Sequence, residues 1–265
     1  MYTAGPKRIV CLTEDSTEIL CDLGEEERIV GISAYAVRPA GIESRKPVVS
    51  AYVDGSVRKI CELKPDLILG FSDVQADLAG KLIKAQQQVL IFNQRSIKEI
   101  LETVLTIGRL VGEPGRAQSL VDEYERRLDQ ARRVTALQTY APRVYFEEWD
   151  EPAICGGQWI SELISVAGGI DIFEDRAHAK ASVGRGVELS EVIDRNPELM
   201  VASWCGKKLD RKAVLGREGF QALSAIDNGH LYEMDPSIIL QPGPAALTEG
   251  LEALEELIRP LASPI

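Results

Sequence analysis

The feature that most constrains this chain is a segment that occurs twice. Residues 59–72 read Lys-Ile-Cys-Glu-Leu-Lys-Pro-Asp-Leu-Ile-Leu-Gly-Phe-Ser, and residues 191–204 read Glu-Val-Ile-Asp-Arg-Asn-Pro-Glu-Leu-Met-Val-Ala-Ser-Trp. In each copy an apolar helix is followed by proline and an acidic residue, and then by an apolar strand with an aromatic residue near its end. The repetition predicts two similar units, and no short period indicates a solenoid.

Strands alternate with helices around both copies. In the first half we predict strands at 8–12, 28–33, 65–71 and 88–92, and helices at 13–23 and 76–87. In the second half, strands at 143–150 and 230–234 and a helix at 159–167 take the corresponding places. Asp15 or Ser16 is the predicted N-cap of the first helix, which ends at Gly24. Such alternation is typical of α/β proteins with mainly parallel sheets covered on both faces.

Residues 96–140 carry helical periodicity without a strand. An amphipathic helix is predicted at 96–111, Gly112-Glu113-Pro114-Gly115 interrupts it, and a second helix follows at 116–134. A helix of about 19 residues is about 28 Å long, enough to pass from one lobe to the next. We therefore predict an N-terminal α/β lobe at 1–95, a helical linker at 96–140 that includes a long rigid backbone helix, and a C-terminal α/β lobe at 141–265. A ligand cleft is expected between the lobes.

The charge of the chain argues against two classes of partner. Its 30 Lys and Arg against 41 Asp and Glu give a net charge of −11 at pH 7. Nucleic acids and anionic membranes bind clustered cations, so neither is an expected partner. The five cysteines are odd in number and widely spaced, as in proteins with reduced thiols. Because residues 1–8 are also too short and polar for a signal peptide, a cytoplasmic location is predicted; the alternative is a periplasmic protein whose leader was removed.

Ligands of open α/β sheets bind beyond the carboxyl ends of the strands. Applied to both lobes, this rule nominates candidate ligand-binding residues. They are Glu14, Tyr35, Tyr52 and Phe71 in the first lobe, and Glu148, Trp149, Trp159, Trp204 and Cys205 in the second. Gln241 is a further candidate, because it begins the Gln-Pro-Gly-Pro segment before the last predicted helix; a purely structural role fits it equally well. Aromatic faces suit a flat macrocycle, because stacking buries a large area. A place in the core is an equally good interpretation of each tryptophan taken singly.

Two segments add charges near these positions. Glu147-Glu148-Trp149-Asp150 sets three carboxylates beside one aromatic residue, and on a strand these side chains point alternately to two faces. One carboxylate could accept hydrogen bonds from amide groups of a ligand, and a capping or solvated role is the alternative. Trp204-Cys-Gly-Lys-Lys208 is a turn with two cations that could bind a phosphate or carboxylate, although a solvated turn fits equally well.

Residues for catalysis or metal binding are scarce. The two histidines, His178 and His230, stand at no spacing typical of metal ligands, and the sequence has no Cys-x-x-Cys pair. It contains no Ser-His-Asp order, phosphate-binding loop or dinucleotide fingerprint. We therefore predict no catalytic residue, no metal site of the protein's own and no required cofactor.

Short motifs in a fixed order give the chain a resemblance to a known family. They are Arg8-Ile-Val with Thr17-Glu-Ile-Leu, Val30-Gly-Ile-Ser33, Leu63-Lys-Pro-Asp-Leu-Ile-Leu69, Glu162-Leu-Ile with Ala167-Gly-Gly169, and Asn196-Pro-Glu-Leu199. Over nearly its whole length the chain resembles the helical-backbone (class III) substrate-binding proteins for cobalamin, haem and ferric siderophores. The vitamin B12 receptors look most similar. The resemblance implies that aromatic residues of both lobes sandwich a corrin, and it gives that role to Tyr35, Tyr52 and Phe71.

The chain departs from this family at one of two docking positions and in the expected absence of a leader. Transporter-bound members present an acidic residue on each lobe to a membrane permease. Arg58 stands where the first acid is expected, whereas the second falls near Ser190-Glu191 and is retained there, shifted by one position. This departure argues against a permease partner and leaves a small molecule as the expected one.

The leading hypothesis is non-catalytic binding of a corrinoid such as cobalamin, or of a related metal chelate, by a carrier, buffer or sensor. One alternative is the substrate-binding protein of an ABC transporter for haem or a ferric siderophore. Another is an enzyme that modifies the chelate, against which the scarcity of histidine and of paired acid–base groups counts.

Overall fold

A computed structural model describes residues 5–179 and 181–262. The chain folds as two compact units. The first contains the residues up to Gln94 together with Lys98–Tyr124, and the second contains Arg95–Ile97 and the residues from Glu125 onward. The predicted linker, 96–140, is thus divided between the units. The ends of the predicted lobes, 1–4 and 263–265, lie outside the described residues.

The first unit is built on a mainly parallel sheet. Its strands are β1 (Ile9–Cys11), β2 (Ile29–Ser33), β3 (Val48–Ala51), β4 (Asp54–Gly55), β5 (Leu67–Phe71) and β6 (Val89–Phe92). In the described part of the chain they lie in the order β4-β3-β2-β1-β5-β6. Neighbouring strands are parallel except for β3 and β4, which form an antiparallel hairpin at one edge. Strand β1 is buried at every position, as expected of a central strand with both faces covered.

The second unit repeats the centre of this arrangement. Its strands are β7 (Arg143–Asp150), β8 (Ala153–Cys155), β9 (Ile170–Asp171), β10 (Leu199–Ala202) and β11 (Leu231–Glu233). The described strands follow the order β11-β10-β7-β8, and β9 also pairs with β7. The parallel run β7-β10-β11 matches β1-β5-β6 of the first unit, and β9 pairs with β7 as β2 pairs with β1. This confirms the predicted class, two similar α/β units with mainly parallel sheets.

Helices connect the strands of both units. Helices α1 to α7 are Glu14–Asp22, Ile42–Arg45, Val57–Glu62, Ala76–Lys84, Ile97–Val111, Pro114–Thr135 and Gln158–Val166. Helices α8 to α13 are Glu174–Ala177, Leu189–Arg195, Arg211–Leu215, Ser224–Asp227, Pro236–Ile239 and Leu251–Ala262, the last preceded by a π-helical turn at Ala246–Gly250. Among the described residues, no helix has both the length and the apolar character needed to cross a membrane.

Helix α6 is the predicted backbone helix. It runs without a break through Tyr124, where the first unit gives way to the second. It begins two residues before the predicted range of 116–134, because Pro114 occupies the first helical position, where the missing N–H breaks no hydrogen bond. Its rigidity and the cleft between the lobes stay predictions.

Other local predictions were wrong for identifiable reasons. Helix α1 begins at Glu14 after an extended Thr13, so neither Asp15 nor Ser16 is its N-cap. The helix predicted at 76–87 ends at Lys84, and the chain turns at Gln86 with a left-handed φ of 60°. The sequence does not predict β3, β4 or β8, since strands of two to four residues carry too little periodicity.

Helices α5 and α6 pack closely at Gly108. An added Cβ at Gly108 would lie 2.3 Å from the Cβ of Ala117, closer than two carbon atoms can pack. We expect Gly108→Ala to lower the free energy of unfolding by ~1–3 kcal/mol, the cost of overpacking, although alanine is the better helix former. Urea denaturation measures the change.

Gly115→Ala is the matched control. It makes the same replacement in α6, where an added Cβ would meet no atom within 4 Å. We expect no loss of stability there, because alanine restricts the unfolded chain. Equal shifts for the two variants would contradict the close packing of α5 on α6.

Candidate ligand-binding site

Two tyrosines meet at the carboxyl end of the first sheet. Tyr35 follows β2 and Tyr52 follows β3, and their ring centroids lie 6.5 Å apart in an edge-to-face contact. Tyr35 is 40% exposed, which leaves its ring accessible to a ligand. Tyr52 turns the chain between β3 and β4 with a left-handed φ of 56°. A bulky residue in that conformation is strained, and such strain concentrates at functional sites.

Gln75 joins the strand ends to the Tyr52 turn. Its Oε1 accepts a hydrogen bond from the backbone N–H of Phe71 (2.9 Å). Its Nε2 donates to the carbonyl oxygens of Leu12 (3.2 Å) and Tyr52 (2.5 Å). The side chain is fully buried, and an amide offers both the acceptor and the donors that this position needs. Sequence reasoning missed Gln75, because it lies beyond the strand in a short helical turn.

The other first-lobe candidates are less exposed than Tyr35. Phe71, at the end of β5, is only 3% exposed, so the structure places its ring in the interior rather than on an open face. Glu14 is half-buried at the first position of α1. The structure therefore brings Tyr35 and Tyr52 together as a pair with an accessible ring, and it places Phe71 in the interior of the first unit.

A buried carboxyl group lies at the start of α1. Asp15 Oδ2 accepts a hydrogen bond from Gln94 Nε2 at 2.8 Å, which links the end of β1 to the segment after β6. Burial raises the pKa of the Asp15 carboxyl, and hydrogen bonds from Thr13 and Gln94 oppose part of that rise. The group therefore binds its proton more tightly in the folded chain than in the unfolded one.

Glu147 lies at the centre of a buried network in the second unit. Its carboxylate is fully buried and accepts hydrogen bonds from Nη1 and Nη2 of Arg217, at 2.6 and 3.1 Å. It also accepts from the Tyr145 hydroxyl at 3.0 Å and from Trp204 Nε1 at 3.2 Å. Four donors thus satisfy the two oxygens, which is what a buried charge requires.

The neighbouring acids of β7 are paired as well. Glu148 accepts hydrogen bonds from both terminal nitrogens of Arg185, at 2.5 and 2.9 Å. Asp150 forms an ion pair with Lys207. Glu148 is a predicted ligand-binding residue, and its carboxylate is bonded to Arg185 in this structure; its contact with a ligand stays a prediction.

Lys207 lies against two of the predicted aromatic residues. Its Nζ is 4.2 Å from the ring centroid of Trp149 and 4.9 Å from that of Trp204, within the range of cation–π attraction. Trp149 is half-buried and donates its indole N–H to the carbonyl oxygen of Glu151 at 2.9 Å. The structure thus brings Trp149 and Trp204 to the same lysine.

Two tryptophans belong to the interior of the second unit. Trp204 is 2% exposed, and Trp159 is 4% exposed with its indole N–H bonded to the carbonyl oxygen of Ile239 at 2.8 Å. For these residues the core interpretation that the sequence left open fits the structure. Gln241 is half-buried, and its Oε1 has no hydrogen-bond partner among the described residues. Cys205 is exposed and forms no disulfide with a described cysteine.

A pocket of ≈ 470 Å³ opens at the carboxyl ends of β10 and β11. It is lined by Trp204, Gly206, Lys207, Lys208, Glu233, Asp235 and Pro236. Parallel strands bring their carboxyl ends to one edge of a sheet, which is where α/β proteins bind ligands. Sequence reasoning found the Trp204–Lys208 turn but missed Glu233 and Asp235, which lie on β11 and at the cap of α12.

The two positions tied to permease docking are engaged within the chain. Arg58 pairs with Glu62 one turn along α3, on an exposed face. Glu191 pairs with Arg176 and accepts the backbone N–H of Glu188, which caps α9.

The histidines lie away from the strand ends. His230 precedes β11, at the edge of the sheet opposite the pocket, and its Nδ1 is 3.1 Å from the carbonyl oxygen of Glu198. His178 is exposed after α8. Within residues 5–179 and 181–262, no three His, Cys, Asp or Glu side chains are grouped as metal ligands would be.

Comparisons with known proteins agree along the whole chain. The periplasmic binding protein family model matches residues 9–238. The ABC transporter substrate-binding lipoprotein YvrC of Bacillus subtilis is 27% identical over 266 residues, which cover 96% of this chain and 81% of that protein. A vitamin B12-binding protein of Vibrio cholerae is 24% identical over 247 residues, which cover 91% of this chain and 85% of that protein. A periplasmic heme-binding protein from Pseudomonas aeruginosa has the same fold, with a TM-score of 0.82 at 20% identity, over 98% of this chain and 95% of that one.

Replacing Arg217 should destabilise the second unit. Arg217→Leu leaves the buried Glu147 carboxylate without its counter-ion, so we expect a loss of ~3–5 kcal/mol in the free energy of unfolding. Arg58→Leu, which breaks an exposed pair in α3, is the control and should change stability little. Denaturant titration measures both, and an Arg217 variant as stable as the Arg58 variant would contradict the assigned network.

Asp15 should make stability depend on pH. Because its folded pKa lies above its unfolded value, the folded state binds more protons between the two values, and stability falls as pH rises from about 4 through the folded pKa. Asp15→Asn removes this titration and keeps an oxygen that can accept from Gln94. We expect the variant to match the original chain near pH 4 and to exceed its stability at pH 8. Urea midpoints across this range test it, and parallel curves for the two proteins would refute it.

Proposed function

The chain belongs to the periplasmic binding protein family, and we propose that it binds a corrinoid without altering it chemically. It is a substrate-binding protein of the type that takes vitamin B12, haem or iron chelates. The observation that carries the corrinoid proposal is the accessible aromatic area at the strand ends of each unit. It is provided by Tyr35 and Tyr52 in the first unit and by the half-buried Trp149 in the second.

Stacking is the interaction that these aromatic side chains offer. A corrin is a broad, nearly flat ring, and aromatic side chains bury a large apolar area against it at little cost in rotamer entropy. The metal of a chelate is already coordinated, so binding by stacking needs no ligand from the protein. The position of His230 at the opposite edge of its sheet supports this mode over coordination by histidine.

Two observations support a corrinoid ligand. The vitamin B12-binding protein of Vibrio cholerae matches 91% of the chain. The periphery of a corrin carries mostly neutral amides, whereas ferric siderophores are often anionic, and a net charge of −11 disfavours a strongly anionic ligand.

Delivery to an ABC permease is the second candidate role. The relative from Bacillus subtilis, an ABC transporter substrate-binding lipoprotein, favours it. Arg58 counts against it, since a cation stands where the resemblance implies an acid, and we propose a cytoplasmic carrier as the leading role. Fractionation of cells that express the full-length gene separates the two roles: an exported or membrane-anchored pool would support the receptor and refute the carrier.

Titration calorimetry with cobinamide, cobalamin, haemin and a ferric siderophore tests the proposed ligand. We expect heat and a shift of the corrin absorption bands with cobinamide, and recovery of an unchanged corrinoid afterwards. Tyr35→Ala should weaken binding by ~1–3 kcal/mol, the scale of losing an aromatic contact. Tyr140→Ala should not, because Tyr140 is equally exposed but precedes β7, at the amino end of its strand. The absence of both heat and a spectral shift at high micromolar corrinoid would refute the proposal.

A further inference from the structure

We infer that Lys208 binds an anionic arm of the ligand, so that the second unit favours a chelate with a phosphodiester or carboxylate over the same ring without one. This inference rests on the proposed function, because it assumes a flat chelate at the strand ends. Its basis is the pocket at the ends of β10 and β11.

The size of the pocket suits a side arm. Its volume of ≈ 470 Å³ lies in the lower half of the ~300–1,000 Å³ range for sites that enclose a drug-sized molecule, and a corrin or haem with its side chains is larger than that. The Trp204 indole forms one wall. A macrocycle near these strand ends could therefore insert one substituent while its ring stays outside.

Most charges of the lining already have partners. Lys207 is paired with Asp150 and lies against both indoles. Glu233 Oε1 accepts the backbone N–H of Leu209 at 2.9 Å, and Asp235 Oδ1 caps α12 by accepting the N–H of Ser237 at 2.8 Å. These three side chains of the lining are committed to intrachain bonds.

Lys208 differs from them. It lines the pocket, it is exposed, and no ion pair joins it to a carboxylate anywhere in the described chain. Its ammonium group carries three donors on a flexible stem, so it can follow an anion into the pocket.

The charge of the lining depends on this residue. Two lysines and two acids sum to zero, and removing Lys208 leaves a net charge of −1. An anionic arm is therefore attracted when Lys208 is present and repelled by Glu233 and Asp235 when it is absent. That reversal makes Lys208 the residue that determines specificity for a charged arm.

Two ligand chemistries supply such an arm. The nucleotide loop of cobalamin contains a phosphodiester that cobinamide lacks, and haem carries two carboxylates that its dimethyl ester lacks. Each pair keeps its ring and changes the arm, so affinities within a pair report on the pocket alone.

Calorimetry at low salt with these four compounds is the test, since screening weakens exposed charges. We expect the original chain to bind the charged member of at least one pair about 10- to 100-fold more tightly, the range of a charge-assisted hydrogen bond. Lys208→Gln should abolish that preference while leaving the uncharged member's affinity unchanged, and Lys208→Arg should retain it. Lys212→Gln, on exposed α10 and outside the pocket lining, is the control and should leave the preference intact.

The outcomes separate this inference from the proposed function. If cobinamide binds but neither pair of compounds shows a preference for its charged member, Lys208 does not recognise the anionic arm, and the corrinoid proposal stands. The same conclusion follows if Lys208→Gln retains the preference. If no corrinoid binds and only haemin shows the preference, the pocket inference holds for carboxylates and the corrinoid proposal falls. If none of the four compounds binds, both fail.

Discussion

The strand ends of the second unit depend on one buried ion pair, Glu147 with Arg217. Glu147 fixes the chain after β10 twice: its backbone carbonyl accepts the N–H of Ser203 at 3.0 Å, and its carboxylate accepts the indole N–H of Trp204. Burying such a pair is costly, and replacing both charges with apolar groups is often neutral for stability. Here the ion pair holds the Trp204 indole in place. That indole forms a wall of the pocket and is one of the two rings that Lys207 contacts.

The first unit fixes its strand ends with a neutral side chain. Gln75 makes three hydrogen bonds that join β1, β5 and the Tyr52 turn, where the second unit uses a carboxylate and a guanidinium. Room for it comes from Gly70, since an added Cβ there would lie 2.5 Å from Gln75 Oε1. In the repeat, Gly70 corresponds to Ala202 and Phe71 to Ser203, so the two copies diverge at the positions that border the strand ends. The backbone arrangement recurs in both units, whereas the polar side chains at the carboxyl ends of the strands differ.

The repeat explains which parts of the fold could be predicted from the sequence. The motif of helix, proline, acid and strand predicted β5 and β10, and the matching segments predicted the parallel neighbours of each. The strand-end rule placed Tyr35, Tyr52 and Trp149 where they are accessible or partly so. It could not foretell that Phe71, Trp159 and Trp204 point inward, because it locates a backbone position and not the direction of a side chain. The direction of Trp204 is set by Glu147, 57 residues earlier. Gln75 and Arg217 were missed for the same reason: their roles come from long-range contacts, and neither stands in a local pattern.

The aromatic residues at the strand ends of the two units differ in what covers them. The Tyr35 ring is exposed, and its edge-to-face partner is the neutral ring of Tyr52. In the second unit the Lys207 ammonium lies on the indoles of Trp149 and Trp204, and it is ion-paired with Asp150. Trp204 is buried, so little of its indole reaches solvent. A cation–π contact at a partly exposed site contributes about 0.5–1 kcal/mol, and a surface ion pair a similar amount, so Lys207 is held only weakly over the half-buried Trp149. The two units thus present aromatic area of different kinds: an uncovered tyrosine in the first, and in the second an indole covered by a weakly held cation.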